Sequence, residues 1–183
     1  AKNQPHVLVI GDIMADRYIW GSASRISPEA PVPVVNVKNE TVTLGGAANV
    51  AQNLYKLNAK VSICGVTGND PIAIAILNQL KKEKIDATGV VADKSRPTTL
   101  KTRIMAGTHQ LLRVDRETTV DINEDIETRL LKKLQPRLKH IDLVLLSDYN
   151  KGLLTQSFTQ KLLQLCRDAN KKVMVDPKGL HYE

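Results

Sequence analysis

Short apolar runs constrain the fold of this chain more than any other feature of its sequence. Residues 6–10 read HVLVI, and similar runs recur at 60–66, 142–146 and 172–176. Strands of a parallel sheet are covered on both faces and are therefore apolar throughout, whereas half-exposed strands alternate. Amphipathic helical patterns separate most of these runs. The sequence therefore predicts the α/β class, with a mostly parallel sheet flanked by helices.

Residues that cap helices mark where the predicted helices begin. Asp70 precedes Pro71, and Asn123 and Thr155 each stand before an amphipathic segment. Side-chain oxygens at these positions accept hydrogen bonds from the free amides of the first turn, and proline fits the first helical position. We therefore assign Asp70 to capping and not to catalysis.

A glycine pair stands at the start of another predicted helix. Residues 44–57 read LGGAANVAQNLYKL, with Gly45 and Gly46 in a loop and Asn49 in the first helical turn. Glycine lets backbone approach a ligand closely, and an amide side chain both donates to and accepts from hydroxyl groups. An ordinary glycine-capped helix explains the spacing equally well. The pattern is neither GxGxxG nor a GK[ST] loop, which disfavours a dinucleotide fold and a P-loop.

Carboxylates follow two of the apolar runs. Asp12 and Asp16 come after the first strand, and Asp148 follows the run at 142–146. Ligands of open α/β sheets bind beyond the carboxyl ends of the strands. Carboxylates arriving from two strands can accept hydrogen bonds from the hydroxyls of one sugar. The alternative for Asp16 is a surface salt bridge with Arg17.

Residues 17–37 interrupt the alternation of strands and helices. They are rich in strand-forming residues but contain Pro28, Pro31 and Pro33. Proline is excluded from central strands, so this segment is predicted to leave the main sheet. It carries Trp20, which we expect on its surface. An irregular surface loop is the alternative.

A second β-rich segment carries two cations on one face. Strand alternation places Lys101 and Arg103 on the same side, where they form either a compact anion site or a solvated strand face. Arg113 and Asp115 are expected to pair or to line this segment. Lys178 follows the last apolar run, where it suits a phosphate or faces water.

Composition excludes several classes of function. The net charge is +7, but aromatic residues make up only 3% and many cations stand at predicted helix ends, so we predict no nucleic-acid partner. A basic chain also suits a phosphorylated small substrate. No apolar run reaches the roughly 20 residues of a membrane span, so no membrane association is predicted. Cys64 and Cys166 lack metal or redox spacing, so we expect buried, reduced thiols in a cytoplasmic protein.

Three stretches resemble a known family. GGAAN at 45–49, followed by a helix of small residues, resembles the first signature of the ribokinase (PfkB) carbohydrate kinases. TTLKTRIMAGTHQLLRVDRE at 98–117 and LSDYNKG at 146–152 are similar to the heptose 7-phosphate kinase branch of that family. That branch is best known as the N-terminal half of a bifunctional kinase/adenylyltransferase that makes ADP-heptose for lipopolysaccharide.

The resemblance implies a ribokinase-like fold and a set of site residues. It implies a small β lid formed by about 17–40 and 96–115, often used for dimer contact, so a homodimer through the lid is expected. Asp16 is the closest counterpart of the acidic residue that holds substrate hydroxyls, and Asp12 is the second. The substrate-binding residues it implies are Asp12, Asp16, Gly45, Gly46, Asn49, Lys101, Arg103, Asp148 and Lys178.

The resemblance also implies which parts the chain does not carry. Residues 1–183 correspond to the N-terminal part of one kinase domain, and the catalytic base of the family is expected beyond residue 183. The same holds for the family's NxxE and DTxGAGD motifs and its adenine pocket. ATP and Mg²⁺ are therefore expected cofactors of the full-length enzyme, and this polypeptide alone is expected to be inactive. Alternatives are another PfkB sugar kinase, a non-catalytic sugar-phosphate binding module, or a basic nucleic-acid binder.

Overall fold

The computed structural model describes residues 4–178. The strands are β1 (His6–Gly11), β2 (Ile13–Ile26), β3 (Pro33–Gly46), β4 (Lys60–Cys64), β5 (Val66–Thr67), β6 (Val91–Ala92), β7 (Thr99–Ala106), β8 (His109–Arg116), β9 (Leu143–Ser147) and β10 (Lys172–Asp176). The helices are α1 (Ala47–Lys56), α2 (Pro71–Lys82), α3 (Glu124–Leu134) and α4 (Gln156–Asp168), with a 3₁₀ turn at Leu138–His140.

The main sheet is fully parallel, as the apolar runs predict. Its strand order is β10-β9-β1-β4. Alternate residues of β1 serve two separate cores. Leu8 and Ile10 pack with α3 and α4 on one face, and Val7 and Val9 pack with α1 and α2 on the other. Burial on both faces explains why β1 carries no polar residue between Val7 and Ile10.

Residues 17–37 belong to a second sheet, as their break from the strand–helix alternation predicts. Its strand order is β3-β2-β7-β8, with β2 parallel to β7 and antiparallel to β3. Pro33 begins the edge strand β3, and Pro28 and Pro31 lie in the turn before it. This position satisfies the rule that proline is tolerated at a sheet edge but not in the interior.

Two of the crossings between the sheets have no linker. Asp12 alone separates β1 from β2, and β3 runs directly into α1 at Gly46. The backbone amide of Ala47 donates to the Asp12 carbonyl at 2.9 Å, and the Asp12 amide donates to Ser147 O at 3.2 Å. Both of these crossings therefore lie side by side at the carboxyl end of β1.

The predicted helix starts are confirmed. Asp70, Asn123 and Thr155 each accept a hydrogen bond of 3.0 Å from the backbone amide three residues later. The helix that follows Asn123 ends at Leu134, two residues before Pro136, whose nitrogen carries no hydrogen to donate to the helix.

The apolar run at 60–66 forms two strands, β4 and β5, where one was expected. They separate at Gly65, whose missing side chain lets the Gly11 carbonyl approach within 2.6 Å of the position that a Cβ would take. Cys64 and Cys166 are free and buried as expected, and burial raises the pKa of Cys64 to about 12. Across residues 4–178 none of the helices is both long and apolar enough to cross a bilayer.

Candidate sugar-phosphate site

Asp12 ties the end of β1 to the loop after β9. Its buried Oδ2 accepts hydrogen bonds from the amides of Tyr149 at 2.8 Å and Lys151 at 3.1 Å. Burial raises the pKa of Asp12, and these amide bonds oppose that shift, while the nearby charge of Asp148 adds to it. The structure thus shows Asp12 shaping the loop at the edge of the candidate site.

Asp148 organises the same loop from the other side. Its Oδ1 accepts from the Asn150 amide at 2.8 Å, and its Oδ2 accepts from the Lys178 amide at 3.4 Å. Asp148 is buried, whereas Lys178 is exposed. The two buried carboxylates, Asp12 and Asp148, therefore hold backbone at the carboxyl end of the main sheet.

The glycine pair allows close approach to the backbone carbonyl of Asp12 and to the carboxylate of Asp16. Gly46 has φ +53° and ψ −135°, and a Cβ added there would lie 2.4 Å from the Asp12 carbonyl oxygen. A Cβ on Gly45 would lie 2.5 Å from Oδ2 of Asp16. The carboxylate of Asp16 therefore lies directly over the Gly45 backbone, with exposed Asn49 in the helical turn that follows. The loop expected at Gly45 and Gly46 is wrong, because both residues end strand β3, and the predicted approach to a ligand stays a prediction.

Asp16 lies within β2 and not in a loop after β1. It forms an ion pair with Arg103 of the adjacent strand β7, so the alternative of a surface bridge to Arg17 is not what the structure contains. Arg103 lies over the ring of Tyr18 at 5.3 Å, and Tyr18 stacks on Trp20 with ring centroids 5.8 Å apart. The hydrogen bond to Asp16 raises the pKa of Arg103. One face of the second sheet thus presents a carboxylate, a guanidinium and two stacked rings.

Lys101 shares this face with Arg103, as strand alternation predicts. It stands opposite Asp16 on β2 and Asp115 on β8. Its Nζ lies 3.0 Å from Asp115 and 3.0 Å from Glu117. Arg113 and Asp115 pair at 3.0 Å, as expected from their spacing. Both candidate phosphate ligands, Lys101 and Arg103, are therefore already engaged by carboxylates.

Lys151 and Glu117 belong to this cluster, and the sequence reasoning missed both. Lys151 Nζ lies 2.7 Å from Oε1 of Glu117. A signal for each was present: Lys151 follows the carboxyl end of β9, and Glu117 continues the alternation that places Asp115 on the cationic face.

The chain is similar to carbohydrate kinases over almost its whole length. The model of the pfkB family of carbohydrate kinases matches residues 4–182. "Bifunctional protein HldE" of Helicobacter pylori (strain HPAG1) is 49% identical over 96% of this chain, which spans 38% of that relative's length.

Solved structures share the fold. A putative phosphofructokinase from Staphylococcus aureus superimposes with a TM-score of 0.73 at 15% identity, covering 94% of this chain and 53% of its own. Arabidopsis thaliana ribokinase complexed with ribose and ATP superimposes with a TM-score of 0.67 at 17% identity, covering 97% of this chain and 55% of its own.

Proposed function

Since this chain belongs to the pfkB family of carbohydrate kinases, we propose that it forms the substrate-binding part of an ATP-dependent heptose kinase. The proposed substrate is D-glycero-β-D-manno-heptose 7-phosphate, phosphorylated at its anomeric hydroxyl for ADP-heptose and lipopolysaccharide core synthesis. The observation that carries this proposal is the 49% identity to the bifunctional HldE protein over 96% of the chain.

The sugar hydroxyls are proposed to bind beside the glycine pair. Asp16 is half-buried and lies against Gly45, where the absence of a side chain lets a sugar ring approach both the carboxylate and the Gly45 backbone. Asn49 is exposed in the next helical turn, where it can donate and accept. Asp12 and Asp148 are proposed to support this site through the loops they hold. Positioning of this kind is the main protein contribution to phosphoryl transfer.

The phosphate already present on the sugar needs cations away from the reacting hydroxyl. Lys101 and Arg103 lie on the same face as Asp16. They are proposed to bind the phosphate of the sugar, Arg103 through two donors and Lys101 as a point charge. Exposed Lys178 is proposed as a further phosphate contact from the end of β10. This arrangement predicts selectivity for a phosphorylated sugar.

The phosphoryl donor and metal are proposed to bind outside the described residues. ATP supplies the γ-phosphoryl group in such a kinase, and Mg²⁺ neutralises its charge. Residues 4–178 contain no group of three or more histidine, cysteine or acidic side chains that could hold a metal ion. We propose that the catalytic base lies beyond residue 183, as the resemblance to the family implies.

The second sheet is proposed to act as a lid and to pair with a second copy of the chain. Its face opposite Asp16 exposes Val42, Leu112 and Val114 by 39%, 54% and 50%. Such a patch is typical of a protein interface. Replacing Leu112 and Val114 by glutamate is expected to convert a dimer to monomer in sedimentation velocity, whereas glutamate at exposed Val120 is the control. An unchanged sedimentation coefficient would rule out this surface.

The test of function uses the complete gene product with a panel of sugars. We expect ADP release with heptose 7-phosphate to exceed that with unphosphorylated heptose, fructose 6-phosphate and ribose by at least about a hundredfold in kcat/KM, since charge-assisted bonds to the phosphate are absent or misplaced in the others. Preference for another sugar would identify a different pfkB kinase. Binding without turnover would identify a sugar-phosphate binding module. The proposed location, the cytoplasm, follows from the need for ATP.

Asp16 gives a residue-level test of the same site. Asp16→Asn converts an acceptor into a mixed donor and acceptor, so we expect heptose 7-phosphate affinity to fall by about 1.5–3 kcal/mol. Asp168→Asn, at the end of α4, is the matched control. The measurement is calorimetric titration with heptose 7-phosphate. If the two variants bind it with equal affinity, Asp16 is not part of the sugar site.

A further inference from the structure

One carboxylate in the candidate site is held between two ammonium groups. Glu117 Oε2 lies 3.0 Å from Lys101 Nζ, and Glu117 Oε1 lies 2.7 Å from Lys151 Nζ. The three side chains are only 15–22% exposed. Each oxygen therefore has its own lysine, in the arrangement that two adjacent oxygens of a bound phosphate would have.

We propose that Lys101 and Lys151 form a phosphate site that Glu117 occupies until the phosphate group of the substrate displaces it. This inference rests on the proposed function for the identity of the phosphate. It adds Lys151 as a ligand and Glu117 as a built-in competitor.

The three side chains differ in how firmly the backbone holds them. Lys101 is in the interior strand β7, paired on both sides by β2 and β8. The Lys151 amide is held by the buried carboxylate of Asp12. Glu117 follows the last residue of β8, in a segment without helix or strand that extends to residue 123. The backbone at both cations is therefore held by hydrogen bonds, whereas Glu117 lies outside any helix or strand.

The charge balance favours the exchange. Arg113, Asp115, Lys101, Glu117 and Lys151 form one connected ion-pair network of three cations and two carboxylates. Burial disfavours an ionised Glu117, but hydrogen bonds from Lys151 and Lys101 lower its pKa, so it is an anion at neutral pH. Replacing this single negative charge by a phosphate dianion makes the network neutral. Like charges prevent both anions from occupying the site together.

The location fits a phosphate on the sugar. Lys101 stands in register with Asp16, the proposed hydroxyl ligand on the neighbouring strand. Lys151 and Asp12 line a small cavity between the two sheets, together with Thr99 and Thr118. A ligand bound over Gly45 would thus reach this lysine pair along the face of the second sheet. The exchange would couple phosphate recognition to movement of the segment that begins at Glu117.

The experiment measures phosphate and sugar-phosphate binding to the complete gene product by calorimetry. Glu117→Gln removes the competing charge and one acceptor oxygen while keeping the size of the side chain, so heptose 7-phosphate and inorganic phosphate should each bind about five- to tenfold more tightly. Lys151→Met should weaken both by at least about tenfold and leave unphosphorylated heptose unchanged. Glu124→Gln and Lys82→Met, at exposed positions of α3 and α2, are the matched controls.

Each outcome has a defined meaning. If Glu117→Gln weakens phosphate binding as Lys151→Met does, Glu117 is a fixed bridge and the exchange is wrong. If Lys151→Met weakens only ATP binding, the lysine serves the nucleotide and the assignment to the sugar is wrong. If the wild-type protein does not bind heptose 7-phosphate but Glu117→Gln still tightens inorganic phosphate, the proposed substrate fails and the exchange stands. Thermal unfolding of each variant confirms that a loss of binding is not a loss of fold.

Discussion

Gly46 offers the sharpest test of how the two sheets are joined. Gly46→Ala adds a Cβ 2.4 Å from the Asp12 carbonyl oxygen, a backbone atom that also accepts from the Ala47 amide. The residue must also keep φ +53° with ψ −135°, a combination that L-residues rarely adopt and that costs about 1–3 kcal/mol. Overlap in a packed region adds about 1–3 kcal/mol. The expected loss is therefore roughly 2–6 kcal/mol, a large part of a typical domain stability of about 5–15 kcal/mol.

Gly107 separates the conformational cost from the steric cost. It has φ +58° in the turn between β7 and β8, but a Cβ there would meet no atom within 4 Å. Gly107→Ala should therefore cost only the conformational part, about 1–2 kcal/mol. The measurement is hydrogen exchange in increasing urea, followed on peptides that cover 6–16, 44–57 and 99–116. It gives the local free energy of unfolding of these segments even when the protein has further domains. Equal losses in the two variants would refute the close contact between Gly46 and Asp12.

Three further predictions concern charge. Replacing Lys101 and Arg103 together by methionine should weaken heptose 7-phosphate binding far more than heptose binding in calorimetry, and equal weakening would place the phosphate elsewhere. Arg96 makes a largely buried ion pair with Asp93 at 3.0 Å and bonds two backbone carbonyls. Arg96→Met should therefore lower the unfolding free energy by about 1–3 kcal/mol, against at most about 0.5 kcal/mol for exposed Arg129→Met. Burial and the charge of Lys60 lower the pKa of His6, so the folded state favours the neutral imidazole. Urea titrations should therefore show the free energy of unfolding falling as the pH drops below 6.5, the ordinary pKa of histidine. His6→Gln should remove that dependence, and an unchanged pH profile would exclude His6 as its source.

The elements of the main sheet could be predicted because their causes are local. A strand covered on both faces must be apolar, and a helix start needs a side-chain acceptor, so β1, β9 and the three capped helices follow from short windows of sequence. The run at 172–176 does form β10, but this edge strand is mostly exposed, so the burial expected from its apolar residues is wrong. The division of 60–66 at Gly65 was missed because it depends on the Gly11 carbonyl, a contact between distant residues.

The partners of the site residues could not be predicted for the same reason. Alternation placed Lys101 and Arg103 on one face, but pairing of β2 with β7 decides that Arg103 meets Asp16. The position of Lys151 depends on a loop held by Asp12, which is 139 residues away along the chain. Sequence patterns give the orientation of a side chain within its own strand, whereas ion pairs between strands require the register of the sheet.

The direct passage from β1 into β2 limits how this molecule can vary in length. Because only Asp12 intervenes, one residue inserted there would turn the side chains of β2 to the opposite face and carry Asp16 away from Gly45. The same holds where β3 enters α1. The turn at 27–32, which joins the far ends of β2 and β3, has no such constraint. Proteins with this fold can therefore lengthen or shorten the second sheet at the turn between β2 and β3. They must keep the number of residues constant where β1 enters β2 and where β3 enters α1.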